Sequence, residues 1–161
     1  MSAANNDAPL DLTVWYDYHC PYSHRAVEWL IGLGPHRVRP RFRPFPLEQV
    51  NRDATATEWR LWEQPLDYVH YRERQDRRPL HAFLATAVLE ASEEPAVVDR
   101  FRLAVYRARF DDKADISDVD LLARLAGEVG ADARGLASAL ADDTALTTGR
   151  TGLAEHRAGE G

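Results

Sequence analysis

Residues 12–45 read LTVWYDYHCPYSHRAVEWLIGLGPHRVRPRFRPF, and the order of patterns in them sets the fold. The opening run, "LTVWYDY" (12–18), is apolar, β-branched and aromatic without helical spacing, which predicts a buried strand. Pro21 suits the first turn of a helix, where its missing N–H costs nothing. Ala26, Val27, Leu30 and Ile31 then recur on one helical face, and "GLGP" (32–35) stops the helix. "HRVRPRFRPF" (36–45) alternates strictly. Arg37, Arg39, Arg41 and Arg43 fall on one face; Val38, Pro40, Phe42 and Pro44 fall on the other. That is a strand with one wet face, and its two prolines push it towards a sheet edge. A strand, helix and strand of this length form a βαβ unit, so strands 12–18 and 38–45 are predicted to run parallel.

After residue 46 the period changes to that of a helix. Leu80, Phe83, Leu84, Ala87, Val88 and Ala91 predict one helix. Val97, Phe101, Ala104, Val105 and Ala108 predict a second. In "DISDVDLLARLAGEVG", Ser117 is the expected N-cap, with Asp120 three residues on and Gly130 as the stop. "DARGLASALAD" and "DTALTTGRTGLAEHRAG" predict two more helices, the last weakened by Gly149 and Gly152. The aromatic, strongly charged segment 58–79 reads as irregular or as a short helix. No repeat or low-complexity tract interrupts the chain.

The composition narrows the function classes. The chain has 161 residues, 45% of them hydrophobic, enough for one domain with a real core. Its formal charge of −6 argues against a nucleic-acid partner. No apolar run is long enough to span a membrane, and the polar N-terminus lacks a signal pattern. A cytoplasmic protein is therefore expected. Arginine dominates the basic residues, with Lys113 the lone lysine. This bias fits GC-rich codons better than chemistry. A single cysteine excludes an internal disulfide and fits a reducing compartment.

That cysteine, Cys20, stands between a strand and Pro21, at the mouth of the helix. A helix N-terminus presents unsatisfied N–H groups and a partial positive charge, which favour the reactive thiolate over the thiol. Ser23, one turn along, is placed to donate a hydrogen bond to that thiolate. His19 and His24 would add positive charge nearby. Each of these residues also has a plainer reading. A cysteine can be a small buried hydrophobe, Ser23 a second-turn serine, and the histidines ordinary surface or core residues. No spacing of His, Cys or carboxylates predicts a metal site, and no glycine-rich phosphate loop is present.

The stretch "YDYHCPYSHRAVEWL" resembles the active-site segment of the DsbA-like branch of the thioredoxin superfamily. "RFRPFPLEQVN" is similar to that branch's second strand and following loop. "HAFLATAVLEAS" and "FRLAVYRARFDDKADISDVDLLARLAGEVGAD" are similar to its helical insertion. The resemblance implies an α/β fold: a thioredoxin-like βαβ half over 1–46, a large helical insertion over 47–142, and a helix over 143–161 leading back to the sheet. It implies Cys20 as nucleophile, with Pro21 and Tyr22 at the exposed mouth of the site. Two departures matter. Ser23 stands where the branch has the second cysteine of Cys-x-x-Cys, so dithiol chemistry is not expected. "DYHCPYS" is also similar to the Ser-Pro-Tyr-Ser stretch of the kappa-class glutathione transferase and hydroxychromene-carboxylate isomerase group.

Three functions follow as expectations. The first is a monothiol oxidoreductase forming mixed disulfides with a small thiol or a thiol-conjugated substrate. The second is a glutathione- or mycothiol-dependent isomerase or transferase, and the third a non-catalytic binding scaffold. No tightly bound cofactor is expected, and glutathione or mycothiol would serve as cosubstrate. Arg43, at the end of its strand, would meet a carboxylate of such a thiol, and the resemblance makes Asn51 a ligand-facing amide. Trp59, Trp62, Tyr68 and Tyr71 line a groove or fill a core. In the family a cis-proline loop, a strand pair and a last helix follow the segment similar to "TGLAEHRAGEG". With no such pattern here, an incomplete sheet of two strands is expected, with homodimer formation through its exposed edge.

Overall fold

A computed structural model of the chain describes residues 8–48, 59–69 and 80–142, together with Thr147 and Gly149. The order of elements is β1 (Leu10–Tyr16), α1 (Pro21–Leu33), β2 (Val38–Pro44), a 3₁₀ turn (Leu61–Glu63), α2 (Leu80–Ser92), α3 (Pro95–Phe110), α4 (Val119–Glu128) and α5 (Ala133–Ala141). The two strands pair in parallel, from Leu10 opposite Val38 to Tyr16 opposite Pro44. Between them α1 ends at Gly34, whose φ of +78° suits a residue without a Cβ. Among the described residues the sheet has these two strands.

The register gives the prolines a structural role. Leu10 N–H donates to Arg37 O at 2.9 Å and Phe45 N–H to Tyr16 O at 2.7 Å. In a parallel ladder this phase makes the odd-numbered residues of β2 bond to β1 and turns the even ones away. Those even positions are Val38, Pro40, Phe42 and Pro44. The prolines have no N–H, and Val38 N–H is taken by Gly34 O at 3.1 Å. Phe42 is therefore the sole N–H donor that β2 offers along its outer edge.

One face of the sheet carries Leu12, Val14 and Tyr16 with Val38 and Phe42, and joins the hydrophobic core. Helix α1 packs on both strands and on α3, burying Val27 and Leu30. The opposite face, with Asp11, Thr13, Trp15, Arg39, Arg41 and Arg43, is exposed. The expected strand 12–18 thus lies two residues earlier, and it is buried on one face instead of two. Tyr18 leaves the ladder and turns into the core, where its ring meets Tyr16, Phe83 and Tyr106.

Several expected helix faces are corrected by their surroundings. In α1, Ala26 is exposed, and the buried set is Val27 and Leu30. In α2 burial runs nearly all round the helix, from Leu80 through Thr86 to Leu89, because α3, α4 and α5 all pack on it. In α3 the buried set is Val98, Phe101, Arg102, Val105, Tyr106 and Ala108, so Arg102 and Tyr106 replace Val97 and Ala104 on the inner face. The N-cap of α4 is Asp118, whose carboxylate accepts from Asp120 N–H at 2.9 Å. Ser117 is buried one residue earlier and donates its hydroxyl to Asp115 Oδ1 at 2.7 Å. In the segment around residue 60, Leu61 is fully buried and Trp59 and Tyr68 pack against the core. Tyr71, Asn51 and the expected helix after residue 142 fall outside the described residues, apart from Thr147 and Gly149.

Candidate active site

At the C-terminal end of β1 the chain makes one tight turn and enters α1. Cys20 N–H donates to Asp17 O at 3.1 Å, and Cys20 O accepts from His24 N–H at 3.1 Å. Cys20 is the N-cap of α1, with extended backbone, and its side chain makes no capping hydrogen bond. Pro21 follows in the first turn, which carries no acid. The thiol therefore stands, half-buried, where the helix presents its positive end. Beside it Tyr22 is 81% exposed.

The turn is held by Asp17, a residue that reading the motif alone passes over. Asp17 is buried. Its Oδ1 accepts from His19 N–H at 2.7 Å, and its Oδ2 accepts from Leu47 N–H at 2.7 Å. One carboxylate thus ties the loop before Cys20 to the segment after β2. His19 Nδ1 lies 3.5 Å from the same carboxylate. The backbone of Asp17 is engaged too. Its N–H donates to Ser23 Oγ at 3.3 Å, and its C=O accepts from Tyr106 Oη–H at 3.1 Å. Ser23 thereby closes the turn from the helix side.

Tyr106 brings the helical insertion to the site. Its ring stacks on His24 at 5.0 Å and an interplanar angle of 10°, and Phe110 stacks on the other partner of that pair, 5.4 Å from His24. His24 therefore lies within an aromatic stack along α3. Burial pushes the phenols of Tyr18 and Tyr106 well above their usual range, so both remain hydrogen-bond donors through ordinary pH. Tyr18 Oη–H donates to Thr86 Oγ1 at 2.6 Å, and Thr86 in turn donates to Ala82 O at 2.8 Å.

Arg43 sits at the same end of the sheet, opposite Trp15 in the register, and is exposed. Its charge reaches Glu90: burial pushes that carboxyl up, while Arg102 and then Arg43 pull it down. Asn51 lies outside the described residues. Among the described residues no group of His, Cys, Asp or Glu is arranged to hold a metal.

A parallel strand–helix–strand unit with a thiol at the helix N-cap and a proline in the first turn is the βαβ half that the sequence resemblance implied. Residues 11–157 match the DSBA-like thioredoxin domain. The chain belongs to the DSBA-like thioredoxin family. This is a family of thiol–disulfide oxidoreductase type, and the match spans the βαβ unit and the helices after it. No curated protein matches the chain. No helix among the described residues is long and apolar enough to cross a membrane.

Sequence reasoning missed Asp17, Tyr106 and Arg102. A faint signal existed for the first, since an acid directly after a strand of aromatic and β-branched residues is out of place unless hydrogen-bonded. For Tyr106 the signal was its position one turn after Arg102 on an otherwise apolar face.

Proposed function

We propose that the protein is a monothiol member of its family, with Cys20 as the nucleophile and a low-molecular-weight thiol, glutathione or mycothiol, as cosubstrate. The observation that carries this reading is the uncapped thiol of Cys20 at the N-terminus of α1. The Cys20 thiolate attacks one sulfur of a disulfide RS–SR′, forming Cys20–S–S–R and releasing R′S⁻. With serine at position 23, no internal sulfur resolves this adduct. A second small thiolate R″S⁻ attacks it, forming RS–SR″ and returning the Cys20 thiolate. The protein thus cycles with no net oxidation. Ser23, Pro21, Tyr22, His19 and Arg43 are supporting groups in this reading, and the substrate is a small thiol or a thiol-conjugated molecule. A second copy of the chain, paired along β1, is the partner we assign, since the prolines of β2 leave little to pair with on the other side.

The test is intact-mass spectrometry after incubation with glutathione disulfide and, separately, mycothiol disulfide. One adduct per chain on Cys20 is expected, released by the reduced thiol and absent from Cys20→Ser. If no adduct forms, the reading fails. Turnover of a thiol with an electrophile that survives in part in Cys20→Ser, without any adduct, would establish a transferase or isomerase in its place.

A further inference from the structure

Far from Cys20, the last turns of α1, the start of β2 and the first turn of α3 enclose a cavity of about 600 Å³. That falls within the range of small-molecule sites, about 300–1,000 Å³. Leu30, Ile31, Val38, Pro40, Pro95 and Ala96 give it aliphatic walls, and no aromatic ring lines it. The walls therefore suit a flexible saturated chain better than a planar ring. Val38, at the cavity, and Pro44, at the thiol end of the sheet, lie at opposite ends of β2. The strand separates the two places by roughly 20 Å.

Two of the three charged residues lining this cavity are cationic. Arg39 and Arg100 both line it. Arg100 donates from Nη2 to Val129 O at 3.0 Å, which anchors the guanidinium while leaving other N–H donors of the fork to spend. Pro95 and Ala96 form the start of α3, whose first turn carries no acid and whose N-cap side chain makes no hydrogen bond. The N-cap of that helix is Glu94, whose carboxylate offsets the helix's positive end there. Asp99 is the single acid in the lining, and its Oδ1 is already bound by Arg102 Nη1 at 2.7 Å.

From aliphatic walls with the Arg100 guanidinium at their edge, we propose that this cavity binds an aliphatic carboxylate, its chain among Leu30, Val38 and Pro95 and its head group at Arg100. The site is separate from the thiol chemistry and stands or falls independently of it. The test is calorimetric titration of the full-length protein with decanoate, decanol and decyltrimethylammonium, alongside amide chemical-shift mapping. Saturable decanoate binding is expected, with shifts at Val38, Ala96 and Arg100 and none at Cys20 or Ser23. Arg100→Gln should weaken it about tenfold, the loss of one charge-assisted bond. Ala96→Trp, an exposed position on the cavity wall, should abolish it, and Cys20→Ser should leave it unchanged. The unbound amide spectra of the two cavity variants check that each is folded. The proposal is overturned if decanoate does not saturate, if decyltrimethylammonium binds as tightly, if folded Arg100→Gln binds like the parent, or if the shifts centre on Cys20.

Discussion

Replacing Arg102 by methionine tests how the insertion is fastened to the sheet. Arg102 is only 2% exposed, yet it is a full cation. It donates to Glu90 Oε1 and to Asp99 Oδ1, both at 2.7 Å, and its guanidinium lies 4.6 Å from the ring centre of Phe42 and 5.1 Å from that of Tyr16. Breaking a buried pair by removing one partner costs about 3–5 kcal/mol. Here the carboxylate side chains are 44% and 30% exposed and regain water in the variant, and methionine refills much of the space over Phe42. The loss should sit at the low end, about 3 kcal/mol at pH 7. In urea this lowers the unfolding midpoint by roughly 1.5 M. The pH dependence supplies a second check. Burial pushes Glu90 and Asp99 above the ordinary carboxyl values, with Arg102 pulling the other way. A carboxyl raised in the fold contributes stability below its unfolded value and loses it as pH rises through the folded one. Without Arg102 both rise further, so the variant's deficit should be large at pH 7 and shrink by more than half at pH 4. A loss under 1 kcal/mol at pH 7, or one that stays flat down to pH 4, would refute the reasoning.

Tyr106→Phe keeps the stack on His24 but removes the bond to Asp17 O; a loss of about 1 kcal/mol is expected by thermal unfolding, and an unchanged melting temperature contradicts that bond. Ser23→Cys should form an intramolecular disulfide with Cys20 under mild oxidant, and two free thiols by titration afterwards would show the turn to be misread. Gly130 has φ of +90° with nothing within 4 Å of an added Cβ, so Gly130→Ala should lose about 1 kcal/mol through backbone strain alone. Thr13 turns its N–H away from β2, so Thr13→Pro should weaken a dimer paired along β1 without disturbing the β1–β2 ladder; sedimentation that shows an equally stable dimer excludes that edge as the interface.

The βαβ unit was legible because each part announces itself locally. The alternation from Arg37 to Pro44 has one meaning for a strand, and a proline after Cys20 has one for a helix start. The parallel pairing and the N-cap position of Cys20 followed. The helical insertion was legible in its elements but not in its faces. Apolar periodicity finds a stripe only when one side of a helix meets solvent, and α2 is enclosed by three other helices. It also passes over Arg102 and Tyr106, which reach the core by bringing their polar atoms to partners distant in sequence. The N-cap of α4 went astray because Ser117 and Asp118 are both capping residues, and Asp115, two positions before Ser117, claims its hydroxyl. The site was read as a motif around a thiol, whereas its geometry depends on a buried carboxylate three residues earlier and on a tyrosine 89 positions beyond that carboxylate.

The two prolines of β2 give the sheet a direction of growth. A ladder advances only where the outermost strand offers donors at regular intervals, and β2 offers one. Any further strand, from this chain or another, therefore joins on the side of β1. With a strand on that side β1 would be interior and β2 the border. Two residues lacking an amide hydrogen, on the strand that carries no thiol, thus decide that a further strand would join beside the strand leading to Cys20.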